Sequence, residues 1–208
     1  PMSFTIIIIA ITCLVSYAAF NDASLRAKLI FHPVTVKQNG EFYRFVTHGF
    51  IHADFNHLLF NMWALYVFGN TVEFIFAQYI FPTPMIGKVM YLVFYLAAIV
   101  AASYVTFIRH QDNRGYSALG ASGGVAAMMW PYVLFAPWNW PAILIGPLYI
   151  WYSHYMDKKG GGNVGHNAHL WGAIFGLVFY VVLLVFRRPE LLQLFLDQLM
   201  SPQGPNFG

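Results

Sequence analysis

Four polar side chains stand in stretches otherwise apolar enough to lie in a bilayer, and together their types suit acyl transfer. Ser122 stands in GASGGV (Gly120–Val125), His169 in AHLWGAIFG (Ala168–Gly176), and His57 and Asn61 in HLLFN. A serine hydroxyl is a weak nucleophile until a base takes its proton, and histidine is the usual base. A triad would need a carboxylate to orient that histidine. The eight acids are Asp22, Glu41, Asp54, Glu73, Asp112, Asp157, Glu190 and Asp197, and none lies within a turn or two of His169. The pair therefore reads as a Ser-His dyad. His57 and Asn61, at i,i+4 spacing on one helix face, can donate hydrogen bonds to a developing oxyanion. The backbone N–H of Ser122 at a helix start adds another donor.

Each residue also has a plainer reading. A lone serine in a span commonly bonds back to its own helix, and Gly120 and Gly124 carry the G-x-x-x-G spacing of ordinary membrane-helix contacts. The same stretch fits the G-x-S-x-G of soluble α/β-hydrolases, which requires a preceding strand; Asp112–Leu119 (DNRGYSAL) does not read as one. A metal reading would use His48, His52 and His57, or His166 with His169. His48 and His52 have i,i+4 spacing, but neither H-E-x-x-H nor a carboxylate partner accompanies them. No metal and no cofactor is expected. His32, His110 and His154 read as interfacial, and the single Cys13 excludes an internal disulfide.

The elements that must position these residues follow from composition. Of 208 residues only 9% are charged, while 59% are hydrophobic and 19% aromatic. A soluble domain carries about 25% charged residues, so this chain is expected to be all-α and polytopic in a membrane. The runs Pro1–Asn21, Phe55–Val72, Val89–Ile108, Gly115–Met156 and Gly160–Phe186 contain no Asp, Glu, Lys or Arg. A span needs roughly 20 apolar residues. The fourth run is too long for one helix, and Pro137-Trp138-Asn139-Trp140-Pro141 divides it. Six spans result, approximately 3–20, 55–72, 87–108, 119–136, 140–156 and 167–187, in one domain over 1–208 with a tail from 188.

The second, fourth and sixth spans run in one direction. His57 with Asn61, Ser122 and His169 stand near their starts, so three helices bring them to one level. Gly172 and Gly176 share the face of His169, and Gly120 and Gly124 flank Ser122. Close packing of the fourth and sixth helices through these small residues would bring Ser122 to His169. The connection Asn21–Asp54 is long, aromatic and amphipathic, and is expected to lie on or in the membrane face. Asp157–His166 (DKKGGGNVGH) reads as the most flexible segment, and Pro189–Met200 as either an amphipathic interfacial helix or a simple helical tail. Arg44 reads as a snorkelling or loop-anchoring cation and Glu73 as an interfacial acid closing the second span.

Taken in order, these motifs resemble those of the rhomboid intramembrane serine proteases over essentially all six spans. Gly120-Ala121-Ser122-Gly123 is similar to the family's G-x-S-G, and His169 through Gly176 to its H-x-x-G-x-x-x-G. His57-x-x-x-Asn61 resembles the second-span motif, Tyr43-Arg44 the aromatic-Arg pair of the first loop, and Gly69-x-x-x-Glu73 the close of the second span. The resemblance implies Ser122 as nucleophile, His169 as general base, and His57, Asn61 and the Ser122 N–H as the oxyanion hole. Gly120, Gly123, Gly124, Gly172 and Gly176 would pack the helices at the site. It further implies transmembrane helical substrates entering from the lipid, a fifth span acting as gate, and 157–166 acting as a cap. One departure is Ala126, where many relatives carry an aromatic residue packed on the catalytic histidine.

Membrane lipids are the other expected partners. A net charge of +3 with no basic cluster gives no footprint for nucleic acid. Orientation is contested. Lys88, Arg187 and Arg188 fall on the side of the termini, whereas Arg26, Lys28, Lys37, Arg44, Arg109, Arg114, Lys158 and Lys159 fall opposite. The positive-inside rule would place the termini outside. The resemblance places them in the cytoplasm of a bacterium, with the site toward the extracytoplasmic face, and that assignment is preferred. The chain opens on Pro1 and is expected to lack its native start, while Phe4–Phe20, without a basic n-region, reads as a retained span.

Overall fold

Backbone hydrogen bonding cannot be left to lipid, so the chain crosses the bilayer as helices whose ends are capped from its own sequence. The computed structural model describes residues 3–135, 148, 151 and 166–200. Among them, four helices are long and apolar enough to span a membrane: Phe4–Asn21, Phe55–Ile80, Pro84–His110 and the sixth-span helix His166–Arg187. Ser3 caps the first, accepting from the Ile6 N–H, and Asp54 caps the second, accepting from the His57 N–H. Thr83 caps the third with Pro84 at its first position, where a missing N–H costs nothing. The protein is an all-α polytopic membrane protein. Its described residues hold no strand beyond a single bridge between Phe31 and Ala118. The fifth span expected at 140–156 and the segment 157–165 lie outside the described residues, apart from Leu148 and Trp151.

The fourth span differs from the continuous helix expected over 119–136. It begins at Ser122, runs as Ser122–Ala127, turns at Met128–Met129 and resumes as Trp130–Phe135. It is also deeply enclosed, with Gly123 to Met129 all buried. The third helix covers one side through Tyr95, Ile99 and Ala102, and the sixth covers another through Gly172 and Gly176. The Trp130 indole N–H donates to Ala173 O at 2.6 Å, tying the resumed helix to the sixth. Toward the other end of the bundle, Phe94 of the third helix packs against Phe179 and Tyr180 of the sixth, with centroids 4.5 and 5.0 Å apart.

The second helix runs past its expected end at 72, with π-turns at Leu65–Gly69 and Phe76–Ile80. Glu73 therefore does not close the second helix, and it is buried among its neighbours, at 5% exposure. Its carboxylate accepts from the backbone N–H groups of Phe4 and Thr5, both at 2.9 Å, and from Ser3 Oγ at 2.8 Å. Lys88 Nζ stands 3.5 Å away. Glu73 thus supplies a carboxylate to the open N–H groups of the first helix, where the macrodipole favours negative charge. Gly69, one turn earlier, clears the space for this contact, because a Cβ there would stand 2.7 Å from Tyr91 Oη and 3.1 Å from Thr5 Cγ2.

The first connection is a string of short helices, Ala23–Leu29, Pro33–Asn39 and Arg44–Thr47, followed by a 3₁₀ turn at His48–Phe50. Arg44 anchors it. The guanidinium is buried and donates to Ala27 O at 2.8 Å, Ile30 O at 2.7 Å and the Glu41 carboxylate at 2.6 Å. Lys37 and Asp112, 2.7 Å apart, pin the same connection to the loop after the third helix. His32 caps Pro33–Asn39 and stands 3.1 Å from Arg114 O, and the His110 ring stacks on Tyr116.

Candidate active site

Capping chemistry places the first polar residues. With Asp54 as cap, His57 falls in the first turn and Asn61 one turn deeper on the same face. The Ala53 N–H reaches His57 Nδ1 at 3.4 Å, which leaves the ring proton on Nε2. Asn61 Nδ2 donates to His57 O at 2.9 Å. An amide NH₂ has two donors, so one remains beyond that bond.

The loop before Ser122 is held by the first connection. Phe31 and Ala118 exchange backbone bonds of 3.0 and 2.9 Å, and the Gly120 N–H donates to His48 O at 2.9 Å. Gly120 has φ +115, in the region that favours glycine, and an added Cβ would lie 2.7 Å from the His57 ring. Gly120 is thus a turn residue giving room to His57, and no part of a helix-contact stripe. Ser122 opens its helix directly afterwards. Its N–H and those of Gly123 and Gly124 are first-turn groups that no preceding helical carbonyl can take.

The fourth and sixth helices meet at backbone distance through Gly172 and Gly176, as their spacing suggests, but on the fourth span the contact falls at Gly123 and Ala127 rather than at Gly120 and Gly124. A Cβ on Gly172 would stand 2.1 Å from Gly123 O, and one on Gly176 2.6 Å from the Ala127 backbone. Gly123 itself faces Ala102 and Ala168, while Gly124 turns toward Tyr95 and Ile99 of the third helix. Gly123 follows Ser122 and Ala168 precedes His169, so these two side chains leave adjoining points of the contact. Asn167 secures that end of the sixth helix by accepting from Arg109 at 2.9 Å and donating to Thr106 Oγ1 at 3.1 Å.

Ser122, His169, His57 and Asn61 all line one cavity of about 310 Å³. Its remaining wall is apolar: Phe60, Ala64, Phe68, Val125, Ala126 and Met129. Ala126 lines the cavity without contributing a ring, and Phe60 and Phe68 are the aromatic residues of the wall. The arrangement joins a hydroxyl, an imidazole and two N–H donors in an apolar chamber, which suits attack on a carbonyl and stabilisation of the resulting oxyanion.

His48 and His52, a candidate metal pair by spacing, are committed elsewhere. His48 Nε2 lies 2.6 Å from Ser103 Oγ, which itself donates to Ile99 O at 2.7 Å. His52 Nδ1 lies 3.0 Å from Ser16 Oγ. Among the described residues no group of three or more His, Cys, Asp or Glu is placed to hold a metal. Sequence reasoning missed this bracing role; the cues available were the i,i+4 pair and the serines of the facing spans.

Burial pushes the His48 imidazole down to about 4, and burial followed by the nearby His57 pushes His52 to about 3. Unfolded histidine titrates near about 6.5. As pH falls, the unfolded chain therefore takes up protons before the folded one does. Stability from these rings is complete above about pH 6.5 and is lost on the way to about pH 4, by about 1.4 kcal/mol per pH unit for each ring. Thermal midpoints in detergent should drop steadily over that range; a flat profile would contradict the buried, neutral assignment.

Fold and cavity together define an integral membrane protein with an open Ser/His cavity among its helices. A family model described as the Rhomboid domain matches residues 39–186. The chain belongs to the rhomboid family. It is 32% identical over 161 residues to Rhomboid-related protein 1 of Caenorhabditis elegans, covering 71% of this chain and 42% of that protein. It is 29% identical over 153 residues to RHOMBOID-like protein 12, mitochondrial, of Arabidopsis thaliana, covering 65% and 45%. It is 26% identical over 158 residues to Rhomboid protease GlpG of Haemophilus influenzae, covering 73% and 74%. The chain thus spans less than half the length of the first two and about three quarters of the third.

Proposed function

We propose that this protein is an intramembrane serine endopeptidase that hydrolyses peptide bonds in or near transmembrane segments of other membrane proteins. The observation that carries the reading is the single cavity shared by Ser122, His169, His57 and Asn61. In the proposed reaction Ser122 Oγ attacks the scissile carbonyl carbon as its proton passes to His169. The carbonyl oxygen becomes an oxyanion that accepts from His57 Nε2–H, Asn61 and the Ser122 N–H. Collapse breaks the C–N bond, and the leaving amine takes the proton from His169. Water, deprotonated by the same imidazole, then cleaves the acyl-enzyme ester and restores Ser122. No cofactor enters this scheme.

The same reading places the enzyme in a bacterial cytoplasmic membrane, with its cavity toward the extracytoplasmic face, where helical substrates arrive from the lipid. The membrane location follows from the apolar helices; the bacterial assignment is this proposal's own, because the relatives include bacterial as well as mitochondrial and chloroplastic proteins. A fluorophosphonate probe tests the chemistry: labelling should require both Ser122 and His169. Labelling that survives Ser122→Ala would sink the proposal. No labelling of the wild type, with transmembrane helices still bound, would favour an inactive relative that only holds such helices. Asn61→Ala is expected to lower kcat about 100- to 1000-fold, the range for losing one oxyanion donor. An unchanged kcat would remove Asn61 from that role.

A further inference from the structure

His52 and Ser16 take no part in the chemistry above, yet they connect the first span to the turn that presents the nucleophile. The His52 side chain is fully enclosed, at 1% exposure. Ser16 Oγ donates its one hydrogen to Phe50 O at 3.0 Å. Its 3.0 Å contact with His52 Nδ1 is therefore a hydrogen bond only if that nitrogen carries the ring proton. A neutral ring in that tautomer has its lone pair on Nε2. That is the atom the Ala121 N–H faces, at 3.4 Å. A directed chain results, from Ala121 N–H through His52 and Ser16 to Phe50 O, starting one residue before Ser122. The His57 ring meets His52 at 73°, with centroids 5.0 Å apart, and so locks the remaining freedom of the imidazole.

We propose that His52, anchored on Ser16, is a positioning residue for the reaction: by accepting from the Ala121 N–H it fixes the peptide leading into Ser122, and with it the direction of the Ser122 N–H and hydroxyl. The inference rests on the reading of Ser122 as nucleophile. Its consequence is that the first span, which contributes no described residue to the cavity wall, controls turnover through Ser16. A histidine that only filled space would be replaceable by any ring of similar size, and its tautomer would be indifferent.

Two measurements on the full chain in nanodiscs test this. In ¹⁵N-histidine NMR spectra, His52 is expected as the Nδ1–H tautomer with an unprotonated Nε2; an Nε2–H tautomer overturns the proposal even if no variant folds. In steady-state cleavage of a transmembrane substrate, His52→Phe is expected to lower kcat about 10- to 100-fold with KM changed less than about 2-fold. His52→Asn, which keeps an acceptor for the Ala121 N–H, should recover part of the loss, and Ser16→Ala should reproduce part of it. A His52→Phe enzyme with wild-type kcat, or one losing activity only in proportion to its folded fraction, overturns the inference. Cleavage that persists in Ser122→Ala would instead remove the underlying reading, so the two failures are distinguishable.

Discussion

Replacing Ser122 by alanine is expected to end cleavage of a transmembrane substrate while the protein still folds, and His169→Ala should do the same. The loss should be on the order of 10⁶-fold in kcat, as when nucleophile or base is removed singly from a serine protease. The double variant should be little worse than either, because the two residues act as one unit and their effects do not add. Folding should survive Ser122→Ala because the hydroxyl is lost at a partly buried position lining an open cavity. Substrate cleavage followed on gels, beside thermal melts of each variant, checks both halves of the expectation. Residual cleavage by Ser122→Ala near the wild-type rate would mean that another group does the chemistry.

The second large effect is expected from a residue with no side chain. Gly172→Ala places a Cβ 2.1 Å from Gly123 O, 2.7 Å from Gly123 C and 2.9 Å from Gly123 Cα. All three are backbone atoms, so no rotamer change relieves the clash. The helices must separate by on the order of 1 Å to restore ordinary contact near 3.5 Å. A misplacement of that size can cost about 100-fold in rate, and overpacking typically costs about 1–3 kcal/mol in stability. Gly172→Ala should therefore lose at least about 100-fold in kcat and melt lower, although Gly172 donates nothing to the chemistry. Gly124→Ala should do less harm, since its nearest contacts at 2.9 Å are side-chain atoms of Ile99 and Tyr95. Gly115→Ala, with nothing nearer than Asn113 Oδ1 at 3.5 Å, serves as the neutral control. Equal activity in all three variants would refute close helix contact as the device that aligns Ser122 and His169.

The site was more legible in the sequence than the contacts that build it. Ser122, His57 and His169 each fall in the opening turn of a helix, as expected from apolar runs in alternating directions. The caps Asp54 and Thr83 were not singled out in the sequence, although a cap needs only the residues beside it. Glu73 could not be read correctly, because its partners, the N–H groups of Phe4 and Thr5, lie on another helix and no local pattern encodes that meeting. For His48 and His52 the sequence argued against a metal site but offered no other role: spacing shows that two rings share a face, but not that Ser103 and Ser16 stand opposite.

By itself the amino-acid sequence determined the solvent this protein lives in, the helical class and the polar residues that stand near the starts of its apolar helices. Those properties follow from composition and from the length and order of apolar runs, which any fold of the chain must respect. Tertiary structure alone decided which glycine meets which helix. Gly120 and Gly124 share a helix face only if one helix contains both. The chain instead turns at Gly120 with φ +115 and starts its helix at Ser122. That start resets the helical phase, sending Gly123 to the sixth helix, Gly124 to the third, and Ser122 into the cavity beside His169.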